Sequence, residues 1–263
     1  MANIALRPEF WASVSGGKDS LYMLRLILQH PEQYPLHGVV HYELEIDYPF
    51  IKNVIDYMES ECKRVGIRFW RIKPRRTWKE LLTEYGFPSR KNRWCNGEYK
   101  LDCYRQLREW LKKQNVKPVI YIGLCADEKK RFKAELFDRD ANFIYPLAEQ
   151  GIEEWQILEW AKSVPAFEGY YQYNDRCGCM WCPLMSIKES AYLAVFYPEQ
   201  YETVMNAARE REKVLSEKYG HQRSVWQGNG KYNTDYRDRM VHEKYIPALF
   251  NKQMTLFDYK DEE

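Results

Sequence analysis

The fold of this chain is decided by residues 10–20, FWASVSGGKDS, in which a short apolar run leads into a glycine-rich turn. The apolar residues 10–14 predict a buried β-strand, and the LYML run at 21–24 predicts the start of a helix. Glycines let the backbone turn tightly and approach an anion, and a helix N-terminus favours negative charge. The stretch therefore predicts a phosphate-binding loop, although it also fits an ordinary polar turn in which Asp19 or Ser20 caps the helix.

Length, charge and hydropathy indicate a globular enzyme. A chain of 263 residues can bury one large α/β core with an appendage. The 40 basic side chains nearly balance the 38 acidic ones, so charge alone does not indicate nucleic-acid binding. No apolar run approaches the roughly 20 residues of a membrane span, and no secretion signal is recognisable. We therefore expect a cytoplasmic protein with no membrane partner.

Strand and helix patterns alternate through the first half of the chain. Apolar runs predict strands at 36–42, 67–72 and 119–124, and helical spacing predicts helices over 21–29, 49–65 and 102–114. Such alternation predicts an α/β fold with a doubly wound parallel sheet. Because ligands bind beyond the carboxyl ends of such strands, the turns after Val14, Val40 and Leu124 should meet at one site.

The pattern changes after residue 150, where helices are expected over 152–161 and 198–217. We therefore expect three regions. They are a nucleotide-binding α/β domain over residues 1–150, a mostly helical cysteine-containing region over 151–250, and a tail over 251–263.

The seven cysteines indicate metal or redox chemistry. Their odd number, without a secretion signal, argues against a disulfide framework. Cys177, Cys179 and Cys182 fall within six residues and place three thiolates within reach of one centre. A distant cysteine would complete an iron–sulfur or zinc site, with Cys95 as the expected fourth ligand and Cys103 as its substitute. The Cys179–Cys182 spacing also suits a redox disulfide.

The glycine turn SGGKDS resembles the PP-loop of ATP pyrophosphatases, and it lacks the glycine spacing of a Walker loop. That superfamily includes sulfonucleotide reductases, tRNA thiolases and adenylating amidotransferases. Three further segments resemble the phosphoadenosine phosphosulfate (PAPS) reductase-like family in the same order: GFPSRKNRWC at 86–95 with Lys100, GLCADEKKR at 123–131, and GCMWCP at 178–183. Cys125 and Lys129 depart from the family pattern, where arginine and serine are usual. The resemblance implies an adenine nucleotide alpha hydrolase-like fold.

The resemblance also implies a site for ATP. The PP-loop would hold the β and γ phosphates, and Mg²⁺ would bridge them with Asp19 as a ligand. Lys18, Asp19 and Arg131 are the expected catalytic residues. The adenine is expected along the second strand, at the backbone of Val40 and Tyr42, although Asp47 and Pro49 also fit a plain helix cap there. The nucleotide-binding residues expected from the resemblance are Ser13, Ser15, Gly16, Gly17, Lys18, Asp19, Ser20, Val40, Tyr42, Gly123 and Arg131.

For the cysteines, the resemblance favours a 4Fe-4S cluster held by Cys95, Cys177, Cys179 and Cys182, with zinc as the alternative. Family members with this pattern that act in sulfur transfer carry that cluster. Arg90, Lys91, Arg93 and Lys100 would surround the Cys95 thiol and either attract phosphate or form a solvated basic loop.

The function implied by the resemblance is ATP-driven sulfur transfer. Sulfonucleotide reductases of this family attack with a cysteine near the C-terminus, and this sequence has no cysteine after Cys182. We therefore expect an ATP pyrophosphatase that adenylates a nucleic-acid acceptor, as in DNA phosphorothioation, with a sulfur donor such as a cysteine desulfurase. The alternatives are PAPS reduction, tRNA thiolation and a non-catalytic nucleotide-binding subunit.

Two C-terminal features point to nucleic acid. QMTLF at 253–257 resembles the peptide that docks bacterial DNA enzymes on the sliding clamp, but it equally suits a packed helix tail. Aromatic residues close to basic ones predict a stacking and phosphate-binding surface, and they are equally suited to packing. These residues are Trp226, Tyr232, Tyr236, Arg223, Lys231, Arg237 and Arg239.

Overall fold

The computed structural model describes residues 6–132, 142–226 and 232–250, and all structural statements refer to these residues. The chain divides into two compact units, and both are discontinuous in sequence. The first unit comprises Met1–Arg75 and Lys100–Cys177, and the second comprises Arg76–Tyr99 and Gly178–Glu263. This division does not coincide with the expected boundary at residue 150.

The first unit contains a five-stranded sheet in which every pairing is parallel. Its strands in chain order are β1 (Arg7–Val14), β2 (Gly38–Tyr42), β3 (Arg68–Ile72), β4 (Val116–Ile122) and β5 (Asn142–Ile144). The first four lie where the apolar runs predict them. β5 is not predicted, because three residues are too short to show a periodicity.

Helices alternate with these strands and give the expected α/β fold around a parallel sheet. The helices of the first unit are α1 (Lys18–Gln29), α2 (Pro49–Arg64), α4 (Leu101–Lys113), α5 (Pro146–Glu149), α6 (Glu154–Lys162) and α7 (Tyr170–Tyr173), with 3-10 turns at Ala126–Arg131 and Pro165–Phe167. Those of the second are α3 (Trp78–Tyr85), α8 (Ile187–Phe196), α9 (Pro198–Tyr219) and α10 (Thr234–Met240). Cys95–Lys100 and Val241–Tyr245 form π-helical turns.

The core of the first unit forms where α4 packs against the sheet. Trp11 and Val40 are fully buried there, together with Leu107 and Leu111 from the apolar face of α4. Trp110 of the same helix meets Trp70 edge-on, with the ring centroids 4.2 Å apart. Each large apolar side chain buried in this way stabilises the fold by about 1.5–3 kcal/mol. This packing fixes the sheet that carries the loops of the site.

The order of the strands creates a crevice at the carboxyl end of β1. The sheet runs β3-β2-β1-β4-β5, so the chain extends from β1 to one side and then crosses to β4 on the other. Loops that follow β1 and β4 diverge at this switch point, which is where ligands bind in open α/β sheets. No helix in the described part of the chain is long and apolar enough to cross a membrane.

Candidate nucleotide-binding site and cysteine segments

The glycine turn follows β1 at the switch point and has a backbone that only glycine adopts easily. Gly16 has φ +80°, and a Cβ at this position would lie 2.7 Å from Cγ2 of Ile51 on α2. Both the left-handed backbone and the close approach of α2 therefore require glycine here.

Serine hydroxyl groups hold the loop in shape. The Ser20 Oγ donates to the Gly17 carbonyl oxygen at 2.9 Å and accepts from the Ser15 N–H at 3.2 Å. The N-cap of α1 is Gly17, which has no side chain to cap the helix, and neither Asp19 nor Ser20 is the N-cap residue. The plain turn capped by Asp19 or Ser20 is therefore not what forms. The N-terminus of α1 points its backbone donors toward the crevice, as an anion site requires.

The ammonium group of Lys18 is buried, with a relative exposure of 2%. Its Nζ lies 2.9 Å from Asp19 Oδ1 and 3.0 Å from Glu154 Oε1 on α6. Burial alone lowers the pKa of Lys18, but the two carboxylates outweigh it and the pKa is raised above its usual value. Lys18 therefore stays positively charged, and Glu154 is a site residue that the sequence pattern does not identify.

The Asp19 carboxyl lies among several charged groups. Burial raises its pKa, Lys18 opposes that shift, and the carboxylates of Glu154 and Glu128 add to it. One ammonium thus holds together carboxylates from the loop and from α6. Oxygen ligands of this kind suit Mg²⁺, which is usually bound by one or two carboxylates together with phosphate oxygens and water.

Tyr171 of α7 closes the other side of the loop. Its phenol oxygen accepts a hydrogen bond from the Lys18 backbone N–H at 2.9 Å. The side chain is 2% exposed, and burial raises the pKa of Tyr171 well above its ordinary value, so the phenol is neutral. The Tyr170–Tyr171 pair forms part of the family resemblance, but no local pattern predicts this contact, because its partner lies 153 positions away.

The end of β4 reaches the same loop, as the strand order predicts. A Cβ on Gly123 would lie 3.0 Å from the Asp19 carbonyl oxygen, so glycine permits this approach. Cys125 is fully buried, and its Sγ lies 3.8 Å from Asp19 Oδ1. Burial raises the pKa of the Cys125 thiol, so this cysteine packs at the strand end as a neutral side chain.

Arg131 lies at the end of the 3-10 turn that follows β4. Its guanidinium forms an ion pair with Glu128, and its side chain is 66% exposed. The Glu128 carboxylate also accepts the Cys125 N–H at 3.2 Å and contributes to the shifted pKa of Asp19. The structure therefore connects Arg131 to the loop through Glu128.

Val40 and Tyr42, the residues expected to bind the adenine, lie at different places in β2. Val40 is fully buried and pairs with Ser13 on one side and Trp70 on the other, which places its backbone inside the sheet. Tyr42 ends β2, and its hydroxyl hydrogen-bonds Ser13, while burial raises its pKa. Ser13 and Tyr42 are thus brought together beside the end of β1, where Tyr42 packs against the core that contains Val40.

Asp47 follows β2 and carries a perturbed carboxyl group. The N-cap of α2 is Tyr48, with Pro49 at the first helical position, so Asp47 does not cap this helix as expected. Burial raises the pKa of Asp47 to about 7, and the nearby Lys100 opposes that shift. The carboxyl is therefore protonated more readily in the folded protein than in the unfolded chain.

The expected metal ligands are distributed over both units. Cys177 belongs to the first unit, whereas Cys95, Cys179 and Cys182 belong to the second. Cys179 and Cys182 form one turn, in which the Cys182 N–H donates to the Cys179 carbonyl oxygen at 3.1 Å. Within the described ranges, no group of three or more His, Cys, Asp or Glu side chains is arranged to hold a metal. The four thiols remain a suitable donor set for iron–sulfur or zinc chemistry by ligand type.

The substitute ligand Cys103 has a different environment. Its thiol is fully buried on α4 and donates to the Ile72 carbonyl oxygen at 3.4 Å. Burial raises the pKa of Cys103 to about 12, as expected for a structural thiol.

Around Cys95, the chain forms a tight turn rather than an extended loop. The Ser89 N–H donates to the Asn92 carbonyl oxygen at 3.0 Å, and the Trp94 indole donates to the Gly86 carbonyl oxygen at 3.0 Å. Cys95 is buried at the start of the π-helical turn, while the Arg90, Lys91 and Arg93 side chains are exposed.

The expected nucleic-acid surface is only partly exposed. Trp226 is 2% exposed, and its indole donates to the Thr234 hydroxyl at 2.9 Å, so this tryptophan packs inside the second unit. Tyr232 and Arg239 are exposed, and Arg237 is buried. The clamp-like peptide at 253–257 and Lys231 lie outside the described residues.

The sheet and the glycine loop at its switch point define an α/β protein with a candidate anion-binding loop. Residues 9–185 match the phosphoadenosine phosphosulfate reductase domain family, and this match spans more than half of the chain. The protein therefore belongs to that family.

Two relatives come from Methanocaldococcus jannaschii. Uncharacterized protein MJ0066 is 27% identical over 218 residues, which is 78% of this chain and 42% of the relative. Uncharacterized protein MJ0973 is 26% identical over 197 residues, which is 72% of this chain and 45% of the relative. The chain thus spans less than half the length of either relative.

Among solved structures, the U34-tRNA thiolase NcsA from Methanococcus maripaludis, with its 4Fe-4S cluster, is similar over 79% of this chain and 74% of its own. The sequence identity is 17% and the TM-score is 0.40.

Proposed function

We propose that this protein is an ATP pyrophosphatase that adenylates an oxygen of a nucleic-acid acceptor for sulfur transfer. The proposal rests on one observation above all: Lys18, held buried by Asp19 and Glu154, is the first residue of α1, whose N-terminus lies at the switch point. A fixed positive charge and backbone N–H donors in one crevice are what a leaving pyrophosphate needs. Membership of the family supports the choice of an adenine nucleotide as ligand.

The reaction has two displacements. An acceptor oxygen attacks the α-phosphorus of ATP, the bond to the α,β-bridging oxygen breaks, and pyrophosphate leaves with the bonding electrons. Hydrosulfide then attacks the activated acceptor atom, and AMP leaves with the former acceptor oxygen. The exchange of oxygen for sulfur is redox-neutral with hydrosulfide. A persulfide from a cysteine desulfurase requires two further electrons from a thiol.

The residues of the loop have separate roles in the first displacement. Lys18 stabilises the charge that develops on pyrophosphate, while Ser15, Gly16, Gly17 and Ser20 shape the cradle. Arg131 leaves its ion pair with Glu128 and binds phosphate oxygens instead. A guanidinium can donate hydrogen bonds to two such oxygens at once. Asp19 would be a ligand of Mg²⁺, which would neutralise phosphate charge when bound.

Other expected residues act around this centre. Ser13, Tyr42 and Gly123 border the space for the nucleoside. A 4Fe-4S cluster on Cys95, Cys177, Cys179 and Cys182 would hold the incoming sulfur when bound. DNA phosphorothioation and tRNA thiolation both fit this chemistry, and the acceptor is proposed only as nucleic acid.

Pyrophosphate release tests this proposal. Purified protein is incubated with ATP, Mg²⁺ and hydrosulfide, with and without DNA or tRNA, and pyrophosphate, orthophosphate and AMP are quantified. We expect equal amounts of pyrophosphate and AMP, stimulated by one nucleic acid. Lys18→Met should lower kcat about 100-fold or more. Glu154→Gln should lower it about tenfold, because a charge-assisted hydrogen bond to Lys18 weakens.

Glu159→Gln is the matched control. Glu159 lies on the same helix as Glu154, is exposed, and pairs with Lys162 at 2.5 Å. Its replacement should leave kcat unchanged. Release of orthophosphate instead of pyrophosphate would exclude the proposed reaction. Consumption of PAPS with a thiol donor, and no reaction of ATP, would assign the site to sulfonucleotide reduction.

A further inference from the structure

The second unit contains a cavity of about 260 Å³ that the proposed reaction does not use. Residues 184–187, between the cysteine turn and the start of α8, line one side. Tyr232, Tyr236 and Arg237 line the other side. Ligand pockets for drug-sized molecules are typically about 300–1,000 Å³, so this cavity suits a smaller group such as one base or one phosphate.

Arg237 gives this cavity a buried positive charge. The side chain is 5% exposed and its guanidinium lies 4.2 Å from the centroid of the Trp226 ring. Its Nη1 donates to the Ser190 hydroxyl at 2.7 Å, and its Nε has no hydrogen-bond partner among the described residues. A guanidinium has five N–H donors, and leaving them unsatisfied in a buried place is costly.

The carboxylates near Arg237 also accept backbone hydrogen bonds. Glu189 accepts the Ser186 N–H at 2.7 Å, and Glu212 accepts the Val225 and Thr234 N–H groups at 3.1 and 2.9 Å. Both carboxylates attract the guanidinium and oppose the effect of burial on its pKa. Burial lowers the pKa of Arg237 to about 10, so the guanidinium is still charged at neutral pH.

Aromatic rings complete the wall. Tyr232 is 42% exposed, and its ring centroid lies 5.2 Å from that of Tyr236 with the planes at 75°. The Arg239 guanidinium lies 5.7 Å from the Tyr236 ring. An exposed tyrosine beside a buried arginine offers a stacking surface and an oxyanion partner within one small cavity.

We propose that this cavity binds one nucleotide unit, with its base against Tyr232 and Tyr236 and its phosphate on Arg237. The unit belongs either to a single-stranded stretch of the acceptor nucleic acid or to a free mononucleotide. The assignment of this cavity to the acceptor rests on the proposed function. The binding of a nucleotide unit does not depend on that reaction.

Fluorescence anisotropy with a labelled single-stranded oligothymidylate, in the absence of ATP, measures this binding. We expect Arg237→Gln and Tyr232→Ala each to weaken binding about tenfold, the size of one base–aromatic stack or one phosphate contact. Because Tyr232 is exposed, Tyr232→Ala should fold normally. It therefore tests the cavity even if Arg237→Gln does not fold. Lys218→Gln removes the same charge from an exposed position on α9 and should change the affinity less than twofold.

Competitors distinguish the source of the nucleotide. Thymidine monophosphate that displaces the oligonucleotide at similar concentration indicates a mononucleotide pocket, whereas displacement only by longer strands indicates a nucleic-acid site. Inorganic phosphate as the sole effective competitor would overturn base recognition. Equal binding by wild type, Arg237→Gln and Tyr232→Ala would overturn the proposal. Since pyrophosphate release is measured separately, either idea can fail without the other.

Discussion

The phenol oxygen of Tyr171 accepts the backbone N–H of Lys18 at 2.9 Å, which joins α7 to the first turn of α1. Burial keeps the phenol neutral, since the pKa of Tyr171 is well above its ordinary value. The N–H concerned is one of the donors that a phosphate uses at a helix N-terminus. Tyr171 therefore holds a place in the cradle that an anion also fits, and Cys177 lies close enough to contribute to the same pKa shift.

Replacing Tyr171 by phenylalanine tests this relationship. Tyr171→Phe should lower the free energy of unfolding by about 1–2 kcal/mol, because a buried N–H loses its acceptor. Saturating ATP should raise Tm more in the variant than in wild type, since a phosphate oxygen can take the vacated N–H. Tyr34→Phe removes another buried hydroxyl, bonded to Gln150 at 3.0 Å, and is the control. Equal ATP-induced shifts in Tm for all three proteins would show that phosphate does not use this N–H.

Gly16→Ala should destabilise the protein and weaken ATP binding. The left-handed backbone, φ +80°, and the 2.7 Å approach to Ile51 add up to about 2–4 kcal/mol. Gly66→Ala is the matched control, because Gly66 has φ +76° but no described atom within 4 Å of the added Cβ. It should cost only the backbone strain, about 1–2 kcal/mol. Chemical denaturation and ATP titration measure both effects; similar losses in the two variants would contradict the contact with α2.

Asp47 makes stability depend on pH. Its pKa is raised from 3.8 to about 7 in the folded protein, so the folded state binds the proton more tightly and stability falls as pH rises through this interval. Asp47→Asn mimics the protonated carboxyl and should stabilise the protein above pH 7, by at most roughly 4 kcal/mol, with no gain below the unfolded pKa.

Asp56→Asn is the comparison variant, because Asp56 affects the pH dependence of stability in the opposite direction. Hydrogen bonds from Arg71 and Lys52 lower the pKa of Asp56, so its contribution is present at neutral pH and is lost as pH falls. Denaturation curves on both sides of pH 7 separate the two cases. A pH-independent difference between Asp47→Asn and wild type would show that the Asp47 carboxyl titrates normally.

The cysteine ligands are tested by purification without oxygen, followed by analysis of iron, zinc and acid-labile sulfide. Single Cys→Ser changes at Cys95, Cys177, Cys179 and Cys182 should each remove most of the iron and sulfide. Cys103→Ser should retain both, because that thiol is buried and its pKa is raised to about 12. If the purified protein contained zinc and no iron, the cysteines would form a zinc site and not an iron–sulfur cluster. Loss of iron in Cys103→Ser, with retention in Cys95→Ser, would make Cys103 the fourth ligand.

The sequence predicted the first four strands well because each is a compact apolar run bounded by turn residues. It missed β5, which has three residues, and α3, whose start depends on the capping box between Thr77 and Glu80. It also suggested a linear boundary at residue 150. In the structure, residues 76–99 group with the C-terminal half, an association between distant segments that periodicity does not encode.

What the sequence determined by itself is the loop, since the glycines, Lys18 and the serines are adjacent and their local geometry follows from backbone sterics. Tertiary structure decided what surrounds it. Glu154 is 136 residues from Lys18, and Tyr171 is 153 residues away, yet both contact it. It also decided that Trp226 packs inside while Arg237 faces a cavity. Burial and partner choice depend on how distant segments pack, and that is a property of the folded chain rather than of any local pattern.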